Sequence, residues 1–391
     1  RIHHNFGIAL YKVGKYKDAE KQFILSELNK SKYYLLRCQF LRGDQKLFHR
    51  TLDKLIQNNE VHPMLGSLCD RASQRFAIKT KNPFCENPIE NFEKIDLTKK
   101  YNFETANSIQ NISENNEIDM VIIITPPNQR LELIKELSKA GKHILMEKPI
   151  ERSTEKAEKI VDICHKNKVS LGIVFQHRFR ESSKKLKQLI NENKLGPIYS
   201  VQVNIPWWRD QSYYDEPGRG TYERDGGGVL ISQAIHTLDL MISLVGPVEA
   251  VQAISQRTPF HIMEAEDFVS GAFKFKNGAI GSFMASTSSY PGYPESIILN
   301  CEKGSAKLES GTLIIQWQNN KIEEFGETSG TGGSADPMAF PFDWHKSLIK
   351  NFALSLNDNK STIVSGEEAL KVHTLIDALI ESSNKGILVK I

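Results

Sequence analysis

The stretch "KAGKHILMEKPIERS", residues 139–153, carries the reading of the fold. A short apolar run, HILM, stops abruptly at Glu147-Lys148-Pro149. Upstream, MVIIIT (120–125) is a continuous β-branched run, the pattern of a parallel strand covered on both faces. Between the two, NQRLELIKELSKAG (128–141) has helical spacing and ends at Gly141, a suitable residue just past a helix end. Downstream, TEKAEKIVDICHKNK (154–168) reads as helix and SLGIVFQ (170–176) as a third strand. Strand, helix, strand, helix, strand implies right-handed parallel crossovers. Lys148 therefore ends a strand of such a sheet, and either turns into solvent or points into a site.

Beyond residue 180 the pattern changes. A helix (181–196) precedes segments that alternate apolar and polar: IYSVQVNIPW, VEAVQAISQR, DFVSGAFKFKNGAIGSFMASTS, ESIILNCEKGSAKLES and TLIIQWQNNKIEEF. Asn277-Gly278 is a hairpin signal, and the whole predicts a mostly antiparallel sheet with one open face. Helices are predicted at 227–246 and 367–386.

Toward the N-terminus, "NFGIALYKVGKYKDAEKQFILSEL" reads as two helices with Gly14 in the turn, and 33–56 as a degenerate second copy. Residues 62–78 predict a further helix. The small residues Gly7 and Ala19 fall where two helices cross, and the segment resembles the tetratricopeptide repeat. That resemblance implies a possible protein partner; an unrelated amphipathic hairpin is the alternative. Residues 79–103 lose periodicity and read as an irregular linker. The expected organisation is a helical segment over 1–78, that linker, a partial Rossmann domain over 104–178, and an α/β substrate and dimerisation domain over 179–391. The class is α/β, with an all-α beginning.

Composition narrows the function. The chain has 391 residues, 40% of them hydrophobic and 25% charged, with a formal charge of +3, which gives no global case for nucleic acid. No apolar run reaches the roughly 20 residues that span a bilayer. The five cysteines are dispersed, with no CxxC, so free thiols, a cytoplasmic location and no metal site are expected.

Thr125-Pro126-Pro127 after the first strand, a helix ending AGKH, and Glu147-Lys148-Pro149 resemble the Gfo/Idh/MocA family of NAD(P)-dependent oxidoreductases. "RGTYERDGGGVLISQAIHTLDLMISLVG" and "SGEEALKVHTLIDALIESSNKG" agree, and the resemblance covers about 104–391. "WWRDQSYYDEPGRGTYERDGGG" further resembles branches acting on nucleotide-linked sugars, such as 3-dehydrogenases of UDP-linked N-acetylhexosaminuronate. The resemblance implies NAD or NADP as cofactor, hydride transfer at a hydroxyl carbon, and a homo-oligomer built through the C-terminal sheet. It implies His236 as base and Lys148 as the residue that orients cofactor and substrate. Thr125, Pro126, Glu147 and Gln176 would line the cofactor. Arg209, Tyr213, Tyr214, Arg219, Tyr222, Ser232, Gln233 and Asp239 would face the substrate. On a regular helix Ser232 and Asp239 share the face of His236. Two positions depart from the family's pattern: Ser232 stands where many members carry Asp, and Arg130 where a His is common.

A dinucleotide fold opens with strand, GxGxxG and helix. Residues 1–119 contain no GxGxxG. The chain reads as cut at its N-terminus and as a fusion that replaced the nucleotide half, joined near 103–104. Weak NAD(P) binding is therefore expected. An inactive relative, or a module for protein or sugar binding, is the alternative.

Overall fold

A computed structural model describes residues 3, 8, 10, 11, 15–26, 29–42, 44–57, 104–327, 342–358 and 360–391. The described chain divides into two units, up to Asn107 and from Ser108 onward.

The first unit contributes α1 (Tyr16–Ile24), α2 (Asn29–Arg42) and α3 (Gln45–Gln57). Ala19 and Phe23 of α1 are buried with Leu35 and Cys38 of α2. Phe23 stacks on Tyr34 at 5.5 Å. Buried Glu20 accepts from Gln39 at 3.1 Å and pairs with Arg42. The segment read as a second copy thus falls on two helices, α2 ending at Arg42 and α3 starting at Gln45. The predicted helix at 62–78 and the linker at 79–103 lie outside the described residues.

The second unit begins with α4 (Ile109–Ser113) and β1 (Met120–Ile123), then α5 (Arg130–Lys139), β2 (His143–Met146), α6 (Thr154–Lys166) and β3 (Leu171–Ile173). β1, β2 and β3 form a parallel sheet in that order, with Ile123 opposite Met146 and Met146 opposite Ile173. Apart from His143, β2 and β3 are buried along their length, as strands inside a parallel sheet are. Ile122 on the outer strand β1 and Ile124 just after it are 48% and 72% exposed.

A short 3-10 turn (Gln176–Phe179) and α7 (Glu181–Asn191) lead to β4 (Ile198–Pro206). A short helix, α8 (Gln211–Tyr214), and a π-helical turn (Leu230–Ala234) precede α9 (Ile235–Val245). The remaining strands are β5 (Val248–Gln256), β6 (Phe268–Phe275), β7 (Ile280–Ser286), β8 (Ser296–Cys301), β9 (Gly304–Glu309), β10 (Thr312–Trp317) and β11 (Ile322–Phe325). α10 (Asp343–Asn357), α11 (Gly366–Lys385) and β12 (Val389–Lys390) complete the chain.

The second sheet runs β11-β10-β9-β8-β4-β7-β6-β5-β12, and every pair is antiparallel except β4 with β7. Alternation puts Val201, Val203, Phe273, Phe283, Ile297 and Leu299 in the core, while Tyr199, Ile254 and Ile280 face out. The two sheets share one core. α11 packs on β5, and β3 hydrogen-bonds beyond its own sheet, from Ile173 N to Val364 O at 3.0 Å. That junction sets the ends of β1–β3 against α9.

Candidate active site

The site grows from the end of β2. Arg130, only 2% exposed, donates to the Thr125 carbonyl through Nε at 2.9 Å and Nη2 at 2.7 Å. Its Nη1 also donates to the carbonyls of Glu147 and Pro149. One guanidinium thus ties the end of β1 to both residues flanking Lys148. Arg130, a departure from the family's pattern, is a structural clamp here. Burial pushes its pKa down to about 10, against Glu147 and Glu151.

So held, part-buried Lys148 donates from Nζ to the Ser232 carbonyl at 2.6 Å. Burial pushes its pKa down to about 8, with Arg219 and Arg130 acting the same way and Glu147 and Asp225 against. The carbonyl rather than the hydroxyl of Ser232 is what Lys148 meets. That carbonyl lies in the turn at Leu230–Ala234, which is π-helical, a device common at functional sites. The same turn interrupts the 3.6-residue period between Ser232 and His236, whereas His236 and Asp239 keep their spacing on the regular helix α9. Asp239 is fully buried and held bidentately by Arg178, both bonds 2.7 Å.

His236 follows the turn and is 7% exposed. Phe175 meets its ring edge-on at 5.9 Å, and His177 stacks on it at 5.0 Å. Its Nδ1 is enclosed with no protein partner, which leaves Nε2 as the open ring nitrogen. Its pKa is held well below the usual histidine value, first by burial, then by the cations Lys148 and Arg180 and by His345. A neutral imidazole and a lysine of altered basicity therefore lie close together. Chemically, the first of these groups is suited to accept a proton and the second to stabilise negative charge.

The predicted lining residues divide. Thr125 Oγ1 and Gln176 Oε1 are buried polar atoms with no protein partner, at the ends of β1 and β3, and so is Asn128 Oδ1 in the turn after β1. Gln233 donates to Tyr213 OH at 3.2 Å, and Arg219 lies 4.8 Å over the Tyr213 ring. Arg209 lies over Trp207 and Tyr213 at 5.3 and 5.6 Å. Those residues form one cationic and aromatic wall, with Arg219 close enough to act on Lys148. Tyr214 turns into the core, bonded to Thr287 at 2.6 Å. Tyr222 lines a different cavity of about 390 Å³ with Gly226, Ile231, Glu266 and α11. Tyr214, Tyr222 and Asp239 are thus engaged with Thr287, with that second cavity and with Arg178, respectively.

The glycine run serves docking. A Cβ on Gly228 would stand 1.7 Å from the Glu266 carbonyl oxygen. The Glu266 carboxylate accepts from Gly228 N at 3.1 Å and Leu230 N at 3.0 Å, capping the start of the helix. His177 and Arg180 were missed by sequence reasoning, although His177 adjoins Gln176 in VFQHRF. Among the described residues no cluster of His, Cys, Asp and Glu is arranged to hold a metal.

Residues 73–175 match the oxidoreductase family's NAD-binding Rossmann fold, and residues 183–307 match the GFO/IDH/MocA C-terminal domain. The Rossmann match begins upstream of the boundary read at 104. The chain is 25% identical over 284 residues to the uncharacterized oxidoreductase YrbE of Bacillus subtilis, 70% of this chain and 79% of that protein. It is 27% identical over 286 residues to myo-inositol 2-dehydrogenase of Thermotoga maritima, 71% and 79% respectively. The WlbA dehydrogenase of Bordetella pertussis, solved with NADH and UDP-GlcNAcA, is 30% identical, with a TM-score of 0.61 over 73% of this chain and 82% of that one. Levoglucosan dehydrogenase, at 21% identity and a TM-score of 0.66 over 75% and 86%, shares the fold. With both domains matched and a relative at this identity and coverage, the chain belongs to the Gfo/Idh/MocA family of oxidoreductases, with NAD as the cofactor of its Rossmann domain.

Proposed function

We propose that the protein oxidises a secondary hydroxyl of a sugar, in the UDP-linked N-acetylhexosaminuronate class. One observation carries the reading: Lys148 and His236, 88 residues apart in sequence, lie close enough to interact, with Lys148 Nζ bonded to the Ser232 carbonyl just ahead of His236.

The unpartnered polar atoms Thr125 Oγ1, Asn128 Oδ1 and Gln176 Oε1 suit the nicotinamide ribose and carboxamide, so the residues present fit that end of NAD. Bound nicotinamide supplies the hydride acceptor. His236 Nε2 takes the hydroxyl proton. Lys148 holds the substrate oxygen and stabilises the charge that develops on it. Arg219 and Arg209 give the far wall the charge to hold a carboxylate or diphosphate, and Tyr213 a ring for a sugar face. That chemistry favours an acidic nucleotide-sugar over a neutral polyol. The relative solved with UDP-GlcNAcA points the same way.

The test follows NADH formation by full-length protein with NAD+ at millimolar concentration and UDP-linked N-acetylglucosaminuronate. Turnover is expected, with Lys148→Ala and His236→Ala each lowering kcat by at least about 100-fold. No turnover of this or any neutral sugar sinks the proposal; losses under about tenfold in both variants remove the two assigned roles.

A further inference from the structure

His236 does not stand alone. The His177 ring lies against it at 5.0 Å with the planes 29° apart. Both rings are buried, at 4% and 7% exposure. Behind His177 is Arg180, whose Nη2 lies 2.7 Å from His177 Nε2. A guanidinium only donates, so His177 Nε2 must be the bare acceptor nitrogen. A neutral imidazole with Nε2 bare carries its proton on Nδ1. Arg180 thus fixes the tautomer of His177 by chemistry alone.

Arg180 is itself immobilised. Its Nη1 donates to buried Glu295 at 2.8 Å, and Trp344 covers its guanidinium at 4.3 Å. Trp207 Nε1 holds the other Glu295 oxygen at 3.3 Å. Glu295, Arg180, His177 and His236 therefore form one rigid file from β8, through the 3-10 turn, to α9. The His177 Nδ1 at its centre is enclosed with no protein partner. It lines a small cavity, about 10 Å³, with Ser182, Ser183 and Thr237, whose hydroxyls are also enclosed and unpartnered. Room for a single water among such groups gives the Nδ1–H an acceptor.

We infer that His177 is a positioning residue: locked as its Nδ1–H tautomer by Arg180, it holds the His236 ring with Nε2 open to the cleft. The inference rests on His236 being the base. The charged and titratable groups around the pair are Lys148, Arg180, Glu295 and His345. Three of these four are cationic or can become so, and they disfavour a proton on either ring. A flexible histidine in that field could turn Nε2 away from the cleft, and the stacked ring prevents it.

The test uses full-length protein labelled with [15N]histidine, followed by imidazole 1H–15N correlation from pH 5.5 to 8.5, in the wild type and in His177→Asn. The expected wild-type result is a His177 ring bearing hydrogen on Nδ1 throughout, with no titration. In His177→Asn the His236 ring resonances should move. With UDP-linked N-acetylglucosaminuronate and NAD+, kcat should fall roughly tenfold while KM changes less than about threefold. A His177 ring protonated on Nε2, or titrating near the ordinary value, overturns the inference, as do unchanged His236 resonances or kcat. If the variant does not fold, the wild-type tautomer still decides. The spectra need no substrate, so a protein inactive on this sugar would count against the proposed function and leave the positioning answer intact.

Discussion

Lys148 illustrates what one residue's surroundings decide. Its identity and its place at a strand end were legible in EKP, since a short apolar run stopped by a charged pair and a proline is a local signal. Its partner was not. The bond to the Ser232 carbonyl spans 84 residues and ends in a π-helical turn that no periodicity announces. The role of Arg130 was equally hidden, because three carbonyls on two strand ends converge only in the folded sheet. The surroundings of Lys148 lead to a pH prediction. With its pKa pushed down from 10.5 to about 8, Lys148 is a cation below that value and neutral above it. If the cation stabilises the substrate oxygen, kcat falls as pH rises through about 8. The pH profile of kcat should show that falling limb in the wild type. Lys148→Met should lose it along with most of the activity. A wild-type rate that climbs through pH 8 to 9 would instead make the neutral amine the active form.

At the scale of elements, strands and helices were legible wherever one period held. β4 to β11 alternate cleanly, and α5, α6, α7 and α11 carry helical stripes between recognisable ends. α10 went unnamed, although Leu348, Phe352 and Ser355 are buried at helical spacing. It carries Trp344 onto Arg180 and His177. A run of three glycines suits either a close approach of substrate or a tight helix start, and only the packing against Glu266 separates the two. That contact makes Gly228 the most constrained position in the element. A methyl group there would meet a backbone carbonyl at 1.7 Å, so the turn or the 264–267 segment must move. Gly228→Ala is expected to destabilise by about 3 kcal/mol. By thermal unfolding Tm should fall by roughly 5 °C or more. Because the shifted turn presents the Ser232 carbonyl, soluble variant protein should also lose activity. A variant with wild-type Tm and kcat would show that this helix start tolerates a side chain.

Across the second unit, from Ser108 onward, the buried rings of His177, His236 and His373 lie in surroundings that favour the neutral form. His373 of α11 accepts from Ile150 N at 3.1 Å, tying the last helix to the backbone just past EKP. The accepting nitrogen must be unprotonated. Burial, aided by Arg130, pushes its pKa down from 6.5 to about 4. His177 and His236 are shifted in the same direction. The unfolded chain therefore takes up these protons first as pH falls. Stability is fully present above about pH 6.5, is lost progressively between about 6.5 and 4, and loses nothing more from His373 below that. For His373 alone the loss on going from pH 7.5 to 5 is about 2 kcal/mol. Urea unfolding of the full chain at the two pH values should show at least that decrease. His373→Gln, whose side-chain oxygen keeps an acceptor near Ile150 N, should show a decrease smaller by about 2 kcal/mol. An equal acid loss in wild type and variant would mean that His373 is not held neutral, and that the junction of the two sheets does not depend on it.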